Sequence, residues 1–226
     1  MSGLMQDRFV LISRWYLDCA ITAAWQCIAE MRRWPEWWQN EAAVRVDIEG
    51  APQTLPYTPR VGDAVWIDWK TRLGYGFRLH VATTRVLPPF ELDGSVDGDL
   101  IGRGLWVLEP VDPDEPVDPQ HGNGVVITYR WDLHLNRPWM RVAAPLLRPV
   151  FAWNHFAVMR TGARAMAQRI GCRLLHYRDY RFSPGATDPA HASNSPNEMR
   201  APAWHEPLVL QPSLQPSLEP RGARRA

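Results

Sequence analysis

Residues 125–170 read VVITYRWDLHLNRPWMRVAAPLLRPVFAWNHFAVMRTGARAMAQRI, and this stretch decides how the rest of the chain must be arranged. Its first eleven residues alternate. Val125, Ile127, Tyr129, Trp131, Leu133 and Leu135 share one face, while Val126, Thr128, Arg130, Asp132 and His134 share the other. Such a run of β-branched and aromatic residues predicts a strand with one face turned to a core or cavity. NRPWMR reads as a turn, and Pro145 and Pro149 punctuate the short apolar segment between them. From about Phe151 the period changes: Phe151, His155, Val158, Met159, Gly162, Met166 and Ile170 recur at helical spacing, with Arg160, Arg164 and Gln168 opposite. Pro149 suits a first helical turn, and Gly171 stands where a C-terminal cap is expected. Roughly twenty residues at about 1.5 Å each make a rod near 30 Å, long enough to cross a small sheet.

The remaining elements supply that sheet. Arg8–Leu17 alternates as a first strand, and Asp18 is placed to cap a helix from about Ala20 to Met31 whose apolar stripe holds Ile21, Ala24, Trp25 and Ile28. A second short helix opens at Pro35, and Trp34, Trp37 and Trp38 crowd its single turn as a plug for one end of the core. Strands follow over Ala43–Glu49, Asp63–Lys70, Phe77–Thr84, Phe90–Val96 and Leu105–Val111, with GDLIGRG (residues 98–104) as turn chemistry. DPDEPVDPQHGNG (residues 112–124) reads as a long acidic hairpin loop before the strand at Val125. Strands that succeed one another without intervening helices make an antiparallel sheet. Residues 183–226, rich in proline and serine and without periodicity, read as a disordered tail, which leaves residues 1–182 as one domain.

Composition narrows the partners. The 226 residues carry a net charge of +1, which argues against a nucleic-acid surface, and the basic residues are Arg except for Lys70. Three cysteines, Cys19, Cys27 and Cys172, lack the spacing of a zinc site or disulfide framework and read as small buried hydrophobes. The N-terminal segment has no basic region followed by an apolar run, and Val142–Met159 is too polar and broken to span a membrane, so a cytoplasmic protein is expected. Twelve tryptophans are the oddity. Rings in that number suit a sheet wrapped around a hollow.

FVLISRWYL, the ITAAWQCI helix, WPEWW, YRWDLHLNRPWMR and PLLRPVFAWNHFAVMRTG together resemble the polyketide cyclase/dehydrase-like members of the helix-grip superfamily shared with START domains and Bet v1-like proteins. The resemblance covers about Arg8 to Arg173. It implies an α+β fold in which a curved antiparallel sheet grips a long C-terminal helix, with an apolar cavity between them. It implies ligand binding more firmly than any reaction, and no family catalytic motif falls on residues here.

Candidate residues follow from the strand phases. Tyr129, Trp131, Trp106, Phe77, Leu79 and Met159 are read as cavity lining, together with Trp66 and Trp69, one or the other depending on which face of their strand turns inward. His155, on the apolar face of the long helix, is a candidate either to hold a guest's hydroxyl or carbonyl, or to act as a general base with Tyr129; the alternative is a core histidine held by a backbone carbonyl. Arg130, Asp132 and His134 read as a solvated outer face, because burying all three needs full pairing. Asp68 reads as a polar strand-edge group. The glycines of GDLIGRG lead into no helix and make no phosphate-binding loop. No metal set and no cofactor is expected. The expected guest is a small hydrophobic or aromatic molecule, lipid- or polyketide-like, bound without catalysis or, alternatively, cyclised or dehydrated there.

Overall fold

Alternation places the strands, and the structure, a computed structural model, shows how they are ordered. It describes residues 8–38, 43–49, 57–70, 76–112, 124–135 and 138–182; for residues 8, 43, 44, 70, 77, 135 and 138–148 it describes the backbone alone. The chain divides into two units, Met1–Ala186 and Thr187–Ala226, and every described residue lies in the first. The predicted tail and most of the acidic loop lie outside the described residues.

Eight strands form one antiparallel sheet: β1 (Arg8–Leu17), β2 (Ala43–Ile48), β3 (Ala64–Lys70), β4 (Gly76–Leu87), β5 (Glu91–Gly98), β6 (Leu100–Pro110), β7 (Val125–Leu135) and β8 (Leu174–Phe182). Their order is β2-β3-β4-β5-β6-β7-β1-β8. Register shifts in β2, in β4 between Thr83 and Arg85, and at the end of β1 add local bend to the open, curved sheet. Helices α1 (Ile21–Ala29) and α2 (Trp34–Trp37), with a 3-10 turn at Met31–Arg33 between them, follow β1. The long helix α3 (Pro138–Ile170) lies against β1, β7 and β8 and touches α1 and α2. This is the α+β architecture expected of a sheet closed by one long helix.

Four local expectations are corrected. Helix α3 begins at Pro138, eleven residues before Pro149, so NRPWMR runs into the helix and Pro145 and Pro149 lie inside it. Each proline deprives the ladder of one N–H, leaving the carbonyls of Arg141 and Pro145 without their usual helical donors. GDLIGRG is mostly strand: Gly98 holds the turn at φ +112°, and residues 100–104 already pair in β6. Asp18 does not cap α1, whose N-cap is Ala20 without a side-chain bond. Its buried carboxylate instead accepts from the Arg173 guanidinium at 3.1 Å, fastening the end of β1 to the segment after α3. Strand β8 has no counterpart in the sequence reading; it pairs with β1 along its length.

The inward face is continuous across the sheet. Leu11, Trp15 and Leu17 of β1, Val65 and Ile67 of β3, Leu92 of β5, Trp106 and Leu108 of β6, and Val125 and Ile127 of β7 are all buried there. Onto them α2 delivers the tryptophan plug. Trp38 is 1% exposed, stacks on Trp37 at 5.3 Å and meets Trp15, Trp34, Trp69 and Trp106 at 5.4–6.5 Å. Its indole N–H donates to the Val158 carbonyl of α3 at 3.1 Å. Helix α3 accommodates the ring with Gly162, where a β-carbon would lie 2.4 Å from it. Gly171 closes α3 at φ +77°, its N–H and that of Cys172 satisfying the Ala167 and Gln168 carbonyls, as its position predicts.

The three cysteines lie near one another where β1, α1 and the end of α3 converge, and burial pushes the Cys19 thiol up to about 12. It stays a protonated, inert thiol at neutral pH. No helix among the described residues is long and apolar enough to cross a membrane.

Candidate functional site

Beside the tryptophan plug, under the N-terminal half of the described face of α3, the curved sheet and the helix do not close completely. They border a partly open cavity of about 130 Å³. That is room for several waters or for a small organic guest.

Strand alternation builds three walls. Phe9 and Leu11 of β1, Leu100 and Trp106 of β6, and Tyr129, Trp131 and Leu133 of β7 form one side. Ile67 and Trp69 of β3 with Leu79, Val81 and Thr83 of β4 form the other. Between them Leu92 and Val96 of β5 make the floor, where Gly94 and Gly104 pair across β5 and β6 and project no side chain. That pair of glycines is one reason the interior is hollow. Above, α3 contributes Phe151, Asn154, His155, Val158 and Met159, and Met31, Trp34 and Trp38 close the end.

Of the residues singled out from sequence, Trp69, Leu79, Trp106, Tyr129, Trp131, His155 and Met159 border the cavity. The backbone of Phe77 lies opposite Trp69 in β4; its side chain is outside the described residues. Trp66 does not border the cavity. Val65 and Ile67 take the inward phase of β3, so Trp66 faces out, donating to Glu49 at 2.6 Å with the Arg78 guanidinium 4.9 Å over its ring and His80 beside it. Arg130 and Asp132 are likewise on the outer face, 3.6 Å apart and half-buried. On that face Arg103 clasps the buried Asp93 through two bonds of 2.6 and 2.7 Å, and Thr84 donates to the same carboxylate. Asn154, Gly94 and Gly104 were missed: an asparagine inside an apolar stripe and glycines facing each other across two strands have no signal at the level of sequence period.

The described lining is largely apolar, and its charged member, Asp93, is paired with Arg103. Rings lie nearly parallel along one wall: Trp106 on Tyr129 at 4.2 Å and 29°, and Trp131 on His155 at 5.0 Å and 23°. Tyr129 and His155 are 6.2 Å apart. Burial raises the Tyr129 phenol and lowers the His155 imidazole to about 3, so both are neutral at pH 7. His155 Nε2 and Asn154 Oδ1 are enclosed without a hydrogen-bond partner among the described residues, although each residue is only 6% exposed. The backbone-carbonyl anchor considered for His155 is therefore not what Nε2 finds. An unmet buried polar atom of this kind costs on the order of 1–3 kcal/mol. The Tyr129 hydroxyl lies over Gly104, where a β-carbon would approach it to 2.9 Å. Among the described residues no cluster of His, Cys, Asp and Glu could hold a metal ion.

A pH effect follows. Folded His155 titrates near 3 and the unfolded imidazole near 6.5, so the unfolded chain binds the extra proton across that window. The contribution is intact above pH 6.5 and is lost as pH falls towards 3; at pH 5 the loss is about 2 kcal/mol. Denaturant unfolding of the wild type and His155→Phe at pH 7 and pH 5 checks it: the wild type is expected to lose about 2 kcal/mol more than the variant. Equal losses would remove His155 as the cause.

Comparison with solved structures gives the class of this architecture. The chain superposes on the di-domain ARO/CYC StfQ of the steffimycin biosynthetic pathway with a TM-score of 0.51 at 17% identity, covering 74% of this chain and 53% of that one. For the di-domain ARO/CYC BexL of the BE-7585A pathway the values are 0.54, 11%, 74% and 52%. A START superfamily protein from Mycobacterium smegmatis gives 0.52 at 11%, covering 72% and 97%. The chain thus spans about half the length of the two ARO/CYC proteins and nearly all of the START protein. No protein-family profile and no curated sequence matches it. Its fold is the START-like, polyketide-cyclase-like helix-grip.

Proposed function

We propose that the protein binds a small, neutral, largely apolar or aromatic molecule, lipid- or polyketide-like in character, in the chamber between the sheet and α3. The observation that carries this reading is the chamber itself, of about 130 Å³ and walled by aromatic and aliphatic side chains. Trp69, Leu79, Trp106, Tyr129, Trp131, His155 and Met159 would contact the guest, with Phe77 read as a further wall residue. The binding domain ends near residue 182, and the protein works in the cytoplasm.

Titration with 2-naphthol tests it, because guest rings close to Trp106 and Trp131 quench tryptophan emission. A saturable, one-to-one quench is expected, with a co-purifying mass in native mass spectrometry of protein from its own host. Absence of both would overturn the reading.

A second reading, an aromatase/cyclase or dehydratase, draws support from His155 and Tyr129 sharing the chamber at 6.2 Å. The titration behaviour favours binding. An imidazole near 3 is a weak proton acceptor at pH 7, and a phenol raised by burial is a weak donor. If a cyclase substrate is turned over, His155→Ala should abolish that turnover.

A further inference from the structure

We propose that the chamber has a polar pole, formed by His155 Nε2, Asn154 Oδ1 and the Tyr129 hydroxyl, that selects a neutral guest carrying a hydrogen-bond donor at one end of an apolar body. This rests on the chamber being a binding site and goes further by naming what distinguishes one guest from another.

The argument is one of unmet valence. Asn154 and His155 occupy consecutive positions of α3 on the side that closes the hollow, where the stripe is otherwise Phe151, Ala152, Val158 and Met159. Polar side chains so completely enclosed are ordinarily hydrogen-bonded within the protein. Here Nε2 of one and Oδ1 of the other have no partner among the described residues. Oδ1 can only accept. Nε2 of a neutral imidazole accepts when the proton sits on Nδ1, and a guest hydroxyl or N–H would fix that tautomer. The Tyr129 phenol, whose ring lies 6.2 Å from His155, can donate back to the guest oxygen.

Charge completes the selection. Among the described residues no Lys or Arg borders the chamber, and the carboxylate of Asp93, which does border it, is already engaged by Arg103 and Thr84. A carboxylate or ammonium guest would lose its hydration and meet no counter-ion. The stacked pairs Trp106 on Tyr129 and Trp131 on His155 favour a flat guest body.

The test uses the full chain and three naphthalenes that differ in one group: 2-naphthol, 2-methoxynaphthalene and 2-naphthoate. Binding is read by tryptophan quenching at pH 7.5. Wild-type protein is expected to hold 2-naphthol about tenfold more tightly than the larger, more apolar methyl ether, and to exclude the naphthoate. In His155→Phe the preference for naphthol over the ether should shrink to within about twofold. Wild-type protein that binds naphthol and ether equally would overturn the polar pole while leaving the chamber's role intact. A tenfold preference that survives in His155→Phe would also overturn it. If none of the three binds, the reading of the chamber as a site falls and this inference falls with it.

Discussion

Trp38→Ala lowers the free energy of unfolding by about 3–5 kcal/mol, the largest loss expected from any single side chain here. The ring is fully enclosed and closes one end of the chamber, so its removal gives up all of its buried contacts at once. Five other tryptophans lose an edge or face contact with it, and such ring pairs contribute about 0.5–1.5 kcal/mol each beyond buried area. The Val158 carbonyl also loses its indole donor. Neighbouring rings are too stiff to collapse into the gap, which puts the substitution at the upper end of the range. Equilibrium denaturation measures it, and a loss below about 1 kcal/mol would mean that the plug is not packed as described. Gly162→Ala probes the same contact from the other side: the added methyl stands 2.4 Å from the indole and should destabilise despite alanine's better helical propensity.

Gly102→Ala is expected to cost at least about 3 kcal/mol, or to prevent folding. At this position in β6 a β-carbon would lie 2.0 Å from the Asp132 carbonyl oxygen and 2.8 Å from the Leu133 α-carbon of β7. Backbone cannot rotate aside as a side chain can, so β6 and β7 would have to separate along the ladder that joins Leu100–Pro110 to Val125–Leu135. Gly62→Ala is the control: φ is +92° there, but nothing lies within 4 Å, so only the modest strain of the left-handed conformation is felt. Thermal unfolding of the two variants side by side separates steric collision from conformational strain, and comparable losses would refute the collision.

Much of the sheet was legible because alternation is local. β1 has the predicted bounds, β3 and β7 deviate by at most one residue, and the phase of β7 was correct, with Tyr129 and Trp131 inward and Arg130 and Asp132 outward. DAVWIDWK was ambiguous for a physical reason: its two faces each carry a tryptophan. Only Val65 and Ile67, by taking the core, decide that Trp69 is the inner one. The start of α3 was misjudged because prolines ordinarily end helices, and three fall within its first half. β8 escaped notice because LLHYRDYRF has polar residues on both faces. Its inward Asp179 is made tolerable by Ser13, which donates at 3.0 Å from a position 166 residues away. No window of neighbouring residues contains that information. The polar pole was half legible: His155 stood out on its helical face, whereas Asn154 beside it was not singled out as a candidate.

The placement of β1 has a consequence for biosynthesis. It lies between β7 and β8, so both its neighbours come from the second half of the 226-residue chain. During translation β1 therefore waits, with its apolar Leu11, Trp15 and Leu17 uncovered, until residues 125–182 have left the ribosome. Pairings of such long sequence separation form slowly, and exposed strands invite aggregation meanwhile. Yield in a heterologous host should accordingly respond to chaperone supply and growth temperature more than to the stability of the finished fold.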